Sequence, residues 1–183
     1  MIRLILLFLI STSSAFAESV VIGMDKEKVA ITATFDGSQI LLFGAVKRDK
    51  PAPIGDLQVI VTVAGPSERI SVHRKSKVLG IWMNTETVEV DAAPSFYAVA
   101  TSSNFLSTIS DTEDLRYKVS IPRAIRSVGA PMNVLDAVSF SEAVIRIRKE
   151  QGLYKLLENT VEIDEQTLFR TSIDMPADIS EGD

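Results

Sequence analysis

One imidazole, His73, stands in the densest basic run of the chain, beside Arg69, Arg74, Lys75 and Lys77. A Ser-His-Asp triad or a histidine metal site would have to use that ring, with Asp56 or Asp91 as the acid. No G-x-S-x-G elbow surrounds a serine, and no second histidine exists to build a catalytic zinc. A solvated strand histidine is the plainer reading. The basic run suits different chemistry. If Arg74 and Lys75 border a concave face, with Lys77 beside them, a sulfo, phospho or carboxylate group can dock there. Otherwise the run is a charged turn on an edge strand, which discourages sheet-to-sheet association. Trp82, Phe96 and Tyr97 could form an aromatic platform of the kind that dominates interface energetics. A lone Trp on an apolar strand is more often core, so Trp82 is expected inside and Tyr97 is the better surface candidate. Glu162, Asp164 and Glu165 lack the spacing of a calcium loop. The candidate binding surface is therefore Arg74, Lys75, Lys77 and Tyr97, with no catalytic residue, metal or cofactor assigned.

These residues need elements to position them. Val29, Ile31, Ala33 and Phe35 alternate as a strand, and Asp36-Gly37-Ser38 is turn chemistry. Ile40 to Val46 returns as an almost wholly apolar strand, expected to be buried on both faces and to pair across that turn. After the polar loop Lys47 to Asp56, Leu57 to Val63 is the next strand. Val78 to Met83 and Thr85 to Val90 follow, with a bend at Asn84. Asp111 to Lys118 could form a short helix, since its acids suit the positive end of the dipole. Ser127 to Pro131 reads as a loop. Ser139 to Gln151 predicts an amphipathic helix, with a Ser139–Glu142 capping box, a stripe of Phe140, Ala143, Val144 and Ile147, and Gly152 as its stop. Thr167 to Asp174 reads as a last strand before a Pro- and Gly-bearing turn, half a hairpin without its partner.

The ends and the composition set the setting. Arg3, the apolar run Leu4 to Ile10 and Ala15-Phe16-Ala17 have the order of a secretory signal peptide, expected to cover residues 1–17. No second segment is long and apolar enough to cross a bilayer. The 183-residue chain carries a net charge of −5, a poor match to nucleic acid. Cysteine is absent, which excludes thiolate nucleophiles, Cys-ligated zinc and disulfide staples. Packing alone must hold the fold.

Five stretches together resemble a known family. They are Leu41 to Val46, Val63 to Pro66, Arg74-Lys75 with Gly80-Ile81-Trp82-Met83-Asn84, Pro94-Ser95-Phe96-Tyr97-Ala98-Val99-Ala100, and Ile145-Arg146 with Gly152-Leu153-Tyr154. The family is that of alphaproteobacterial transmembrane proteins of unknown function, and the resemblance runs from about residue 19 to the end. It implies a signal peptide, a periplasmic β-rich region and a single C-terminal membrane helix. It also implies occasional gene neighbourhood with permeases of the sulfite-exporter type. Met175 to Gly182 resembles the turn after which the family continues to another strand and the anchor, so a chain shortened before its anchor is expected.

The combined expectation is a mainly β, immunoglobulin-like antiparallel sandwich with one packed helix near residues 139–151. Residues 18–126 would form the sandwich and residues 127–183 the helix with terminal strands. Its function would be that of an exported periplasmic binding or accessory module for a membrane protein partner, with transport as one setting and nucleic acid excluded. A small-anion sensor using the basic run is the alternative, and a hydrolase with an unrecognised site stands behind it.

Overall fold

The computed structural model of the chain describes residues 19–26, 37–48, 55–126, 134, 136–177 and 179–180. The expected signal peptide, the strand at 29–35 and the loop at 127–131 lie outside these residues. In chain order the elements are β1 (Ser19–Met24), β2 (Ser38–Lys47), β3 (Ile60–Ala64), β4 (Ser67–Val78), β5 (Ile81–Pro94) and β6 (Tyr97–Thr101). Then come α1 (Phe105–Thr108), α2 (Asp111–Tyr117), α3 (Ile121–Ala124), α4 (Val138–Glu150), β7 (Tyr154–Leu157), β8 (Glu162–Asp164) and β9 (Leu168–Met175). The described strands form a four-stranded sheet β1-β2-β9-β8, a three-stranded sheet β3-β6-β7 and the two-stranded β4-β5.

The mainly β expectation holds, with antiparallel pairing dominant. The strand order of the described residues does not establish the immunoglobulin-like arrangement. β6 and β7 run parallel, joined by a connection that contains the helices, and β4 with β5 forms a ribbon of its own. A parallel pair needs such a long crossover, which the antiparallel reading of the sequence had no place for.

Alternation decides which side of each strand faces the core. On β9, Phe169, Thr171, Ile173 and Met175 are buried while Leu168, Arg170, Ser172 and Asp174 face outward. On β2, Leu42 and Val46 are buried but Leu41 and Phe43 are exposed, so this apolar strand is covered on one face only. Its neighbours among the described residues are β1 and β9; the pairing expected across Asp36-Gly37 involves residues outside them. The last strand is paired on both sides over part of its length. β9 pairs with β2 along its whole length and with β8 at Leu168 to Arg170.

The core is centred on the heptapeptide 94–100. Every residue of β6 is buried, and Ser95 and Phe96 before it are buried as well. Val61 from β3, Leu42 from β2, Val144 from α4, Leu153, Tyr154 and Ile173 join it in one cluster. The chain must pass very close at Gly65, where a Cβ would meet the Ser95 hydroxyl at 2.5 Å, so only glycine fits.

The helices follow local signals. α2 is closed by a capping box between Ser110 and Glu113, with Asp111, Glu113 and Asp114 in its first turn. α4 ends as expected at Gly152, in a Schellman motif where Leu153 N–H donates to the Arg148 carbonyl and Gly152 N–H to that of Lys149. Its start differs. The cap is Ala137, and the Ser139–Glu142 box does not form, because the Ser139 hydroxyl donates to the Asp136 carbonyl and accepts from Arg74. Within the expected stripe Phe140 and Val144 are buried, whereas Ile147 is exposed.

Candidate functional site

The β4–β5 ribbon carries most of the residues that the sequence marks out. Its root belongs to the body. Val90 and Ala93 lie in the main core, and Val88 packs with Phe140 and Val134 in a second cluster. Ile70 and Val72 face the same way from β4, opposite Val90 and Val88. This is inward alternation on both strands, and it fixes the register.

The next inward rung is Arg74 with Glu86. The Arg74 guanidinium donates to Glu86 at 2.7 Å and to the Ser139 hydroxyl, lies 3.8 Å from Asp136, and stacks 4.5 Å from the Phe140 ring centroid. Its fork is thus engaged with α4 and its own partner strand. Arg74 is a clamp between ribbon and helix at the edge of the expected binding surface, its side chain still 39% exposed.

Beyond this rung the ribbon leaves the body. A bulge shifts the register between Arg74 and Lys75, with Thr85 as the extra residue, a device that bends and twists a ribbon. Four rungs follow, Lys75 with Asn84, Ser76 with Met83, Lys77 with Trp82, and Val78 with Ile81. They project roughly 15 Å at the usual strand rise. Leu79-Gly80 closes the end with φ of 49° and 87°, the two positive values of a type I′ hairpin turn. The break between strands expected at Asn84 is thus a bulge at Thr85, and Ile81–Pro94 is one continuous strand.

The apolar character of this tip is unusual for a free end. Leu79 is 99% exposed, Ile81 68%, Trp82 67% and Met83 51%. Trp82 is thus not core, contrary to the sequence expectation. Tyr97 reverses in the opposite sense. It is only 6% exposed, its hydroxyl donates to the Val119 carbonyl at 2.9 Å, and burial, aided by the nearby Asp114 charge, raises its pKa. Phe96 is buried beside it, because the backbone bends at Ser95-Phe96 before β6 begins. Strand alternation does not apply across that bend.

Lys75 and Lys77 are exposed, as a binding surface requires, and both share the outer ribbon face with Trp82 and His73. His73 Nδ1 lies 2.9 Å from the Thr87 hydroxyl across the ribbon. Asp56, considered as its acid, instead accepts from Gln166 at 3.3 Å. Glu162 is paired with Arg170 at 2.6 Å, and that contact raises the Arg170 pKa. Among the described residues, no group of three or more His, Asp and Glu is placed to hold a metal ion. A shallow depression of about 470 Å³ beside α4 is lined by Pro122, Glu142, Ile145, Arg146, Lys149 and Glu150, with no convergence around one reacting position.

Lys75 and Lys77 thus stand exposed near Leu79, Ile81, Trp82 and Met83, while Arg74 is tied to α4 and Tyr97 is buried. The available signal was the Val-Leu-Gly-Ile sequence, with glycine at the second turn position and alternating runs on either side. It was masked because Leu is a poor residue for the first position of that turn.

Comparison with known proteins agrees with the family resemblance. The model of the family described as "Putative transmembrane protein (Alph_Pro_TM)" matches residues 19–183. No curated protein and no solved structure matches the chain. No helix among the described residues is long and apolar enough to cross a membrane.

Proposed function

The chain belongs to the Alph_Pro_TM family, and from that premise we propose an exported, periplasmic binding or accessory module that works at a membrane. The β4–β5 tip is its engaging element and a membrane component its target. The single observation that supports this reading is the tip itself: large apolar side chains held in water at the end of a ribbon whose root is locked into the core. Exposed apolar patches on an otherwise packed protein mark interaction sites. The body serves as scaffold, and residues 1–17 serve as the export signal, removed after Ala17.

The anion-sensor alternative has lost its central residue, since Arg74 is committed to Glu86, Ser139 and Phe140. A hydrolase site is concave and excludes water, whereas His73 and the Thr87 hydroxyl 2.9 Å away both lie exposed on an open ribbon face.

Sedimentation with native inner membranes tests the proposal. The chain is expected in the membrane pellet, and the double variant Leu79→Ser, Trp82→Ser is expected to remain in solution at an unchanged melting temperature. Equal sedimentation of both would remove the hairpin from the function. N-terminal sequencing of periplasmic protein should begin at Glu18, and an intact Met1 terminus would refute cleavage.

A further inference from the structure

The chemistry of the tip narrows its target. Adjacent rungs of a ribbon point to opposite faces. Val78, Ile81 and Met83 therefore occupy one face, Trp82 the other, and Leu79 the end. A complementary protein surface or a second copy meeting the ribbon side-on would cover one face and leave the other wet. A fluid apolar medium covers both at once. Trp prefers the level of the headgroups, where its ring is half in hydrocarbon and its N–H stays hydrated. Lys77 and Lys75 stand on the Trp82 face, one and three rungs back from the last rung, where long stems can reach a phosphate while the tip goes deeper.

Charge gives the orientation. The chain is acidic overall at −5, yet no Asp or Glu occurs from Lys75 to Thr85. An anionic surface repels the acidic chain as a whole and attracts this acid-free end, which favours a tip-first approach.

We infer that the β4–β5 tip inserts into the headgroup region of an anionic lipid bilayer, Leu79, Ile81, Trp82 and Met83 entering the apolar boundary and Lys75 and Lys77 pairing with lipid phosphates. This rests on the reading of the ribbon as the engaging element and specifies what it engages.

Trp82 is the only tryptophan in the chain, so its fluorescence reports on the tip alone. That matters because the apolar run Leu4 to Ile10 has lipid affinity of its own. The full chain is titrated with protein-free vesicles of phosphatidylglycerol and phosphatidylethanolamine, and in parallel with phosphatidylcholine vesicles. The expected result is a blue shift of Trp82 emission and protection from acrylamide with the anionic vesicles. Replacing both lysines, Lys75→Gln with Lys77→Gln, should weaken partitioning about 25-fold, fivefold for each charge near the surface. Leu79→Ser with Ile81→Ser should abolish the shift while the melting temperature stays unchanged.

An emission spectrum indifferent to anionic vesicles would overturn the inference. If tip variants then still lose native-membrane binding, a membrane protein is the target and the broader function stands. If they do not, both fall. An equal shift with phosphatidylcholine would overturn the role of the lysines. A shift that grows with protein concentration in the absence of lipid would assign the tip to a second copy instead.

Discussion

Tyr154 and Asp114 show how single polar groups are accommodated inside an otherwise oily body. The Tyr154 hydroxyl donates to the Pro94 carbonyl at 2.7 Å, and burial pushes its pKa up to about 12, Glu68 adding to the rise and Arg148 opposing it. The neutral phenol is thus the folded form. Its stabilisation is complete below the unfolded value of about 10 and is lost as pH rises through about 12. Tyr154→Phe should cost about 1 kcal/mol at neutral pH. In urea unfolding across alkaline pH, that gap should narrow above pH 10 and reverse before 12, because a rise of this size outweighs about 1 kcal/mol; a constant gap would refute the assignment. Asp114 is the acid counterpart. Burial alone would raise its pKa, but the Ser120 N–H at 2.7 Å and the Arg123 guanidinium at 2.7 Å hold it below the usual carboxylate value. Its contribution is present above the unfolded pKa and lost as pH falls through the folded one. Asp114→Asn should cost about 2 kcal/mol near neutrality, since bonds to a charged group are the strong ones. The difference from wild type should shrink in acid, as denaturant midpoints measured down the pH scale would reveal.

At the scale of elements, the clamp between ribbon and α4 sets how firmly the tip is aimed. Arg74 bridges them at the last rung before the bulge, and Arg148 of α4, 4.0 Å from Glu68 of β4, bridges them again near the root. Arg74→Ala should leave both elements formed, because Val72, Val88 and Phe140 still pack. It should cost about 1–2 kcal/mol, for lost charged hydrogen bonds and ring contact. Amide hydrogen exchange should quicken at the start of α4 and around Glu86, and unchanged protection there would show that the clamp holds nothing. α4 was legible from its apolar spacing and its glycine stop, and α2 from its acidic first turn. The start of α4 was not. A capping box is a local pattern, and Arg74, 65 residues away in sequence, took the serine that would have closed it.

Across the whole molecule, burial separates the centre of β6 from the tip. Val99 is fully buried at the centre of β6, while Trp82 is out in solvent. Val99→Ala should therefore cost about 2–3 kcal/mol in a cooperative unfolding transition. Trp82→Ala, the larger truncation, should change stability by less than about 0.5 kcal/mol. The reverse order would mean that the tryptophan packs in the core after all. Sequence strongly suggests the opposite ranking, because tryptophan is large and apolar and this one lies in an alternating run. That hydrophobicity is real. Whether the rest of the chain covers it depends on how far the ribbon extends past the core.

Residue order alone determined the β-rich class, the strand character of most segments, α2, the end of α4, the absence of sulfur cross-links and the family. These follow from short-range periodicity, turn chemistry and composition, which need no knowledge of neighbours. Tertiary structure decided that β6 and β7 run parallel, that β9 is paired, that Arg74 is a clamp, and that Tyr97 and Trp82 exchange their expected places. Each of those depends on partners brought together from distant positions, and a one-dimensional pattern records which side chains avoid water without recording which ones find cover.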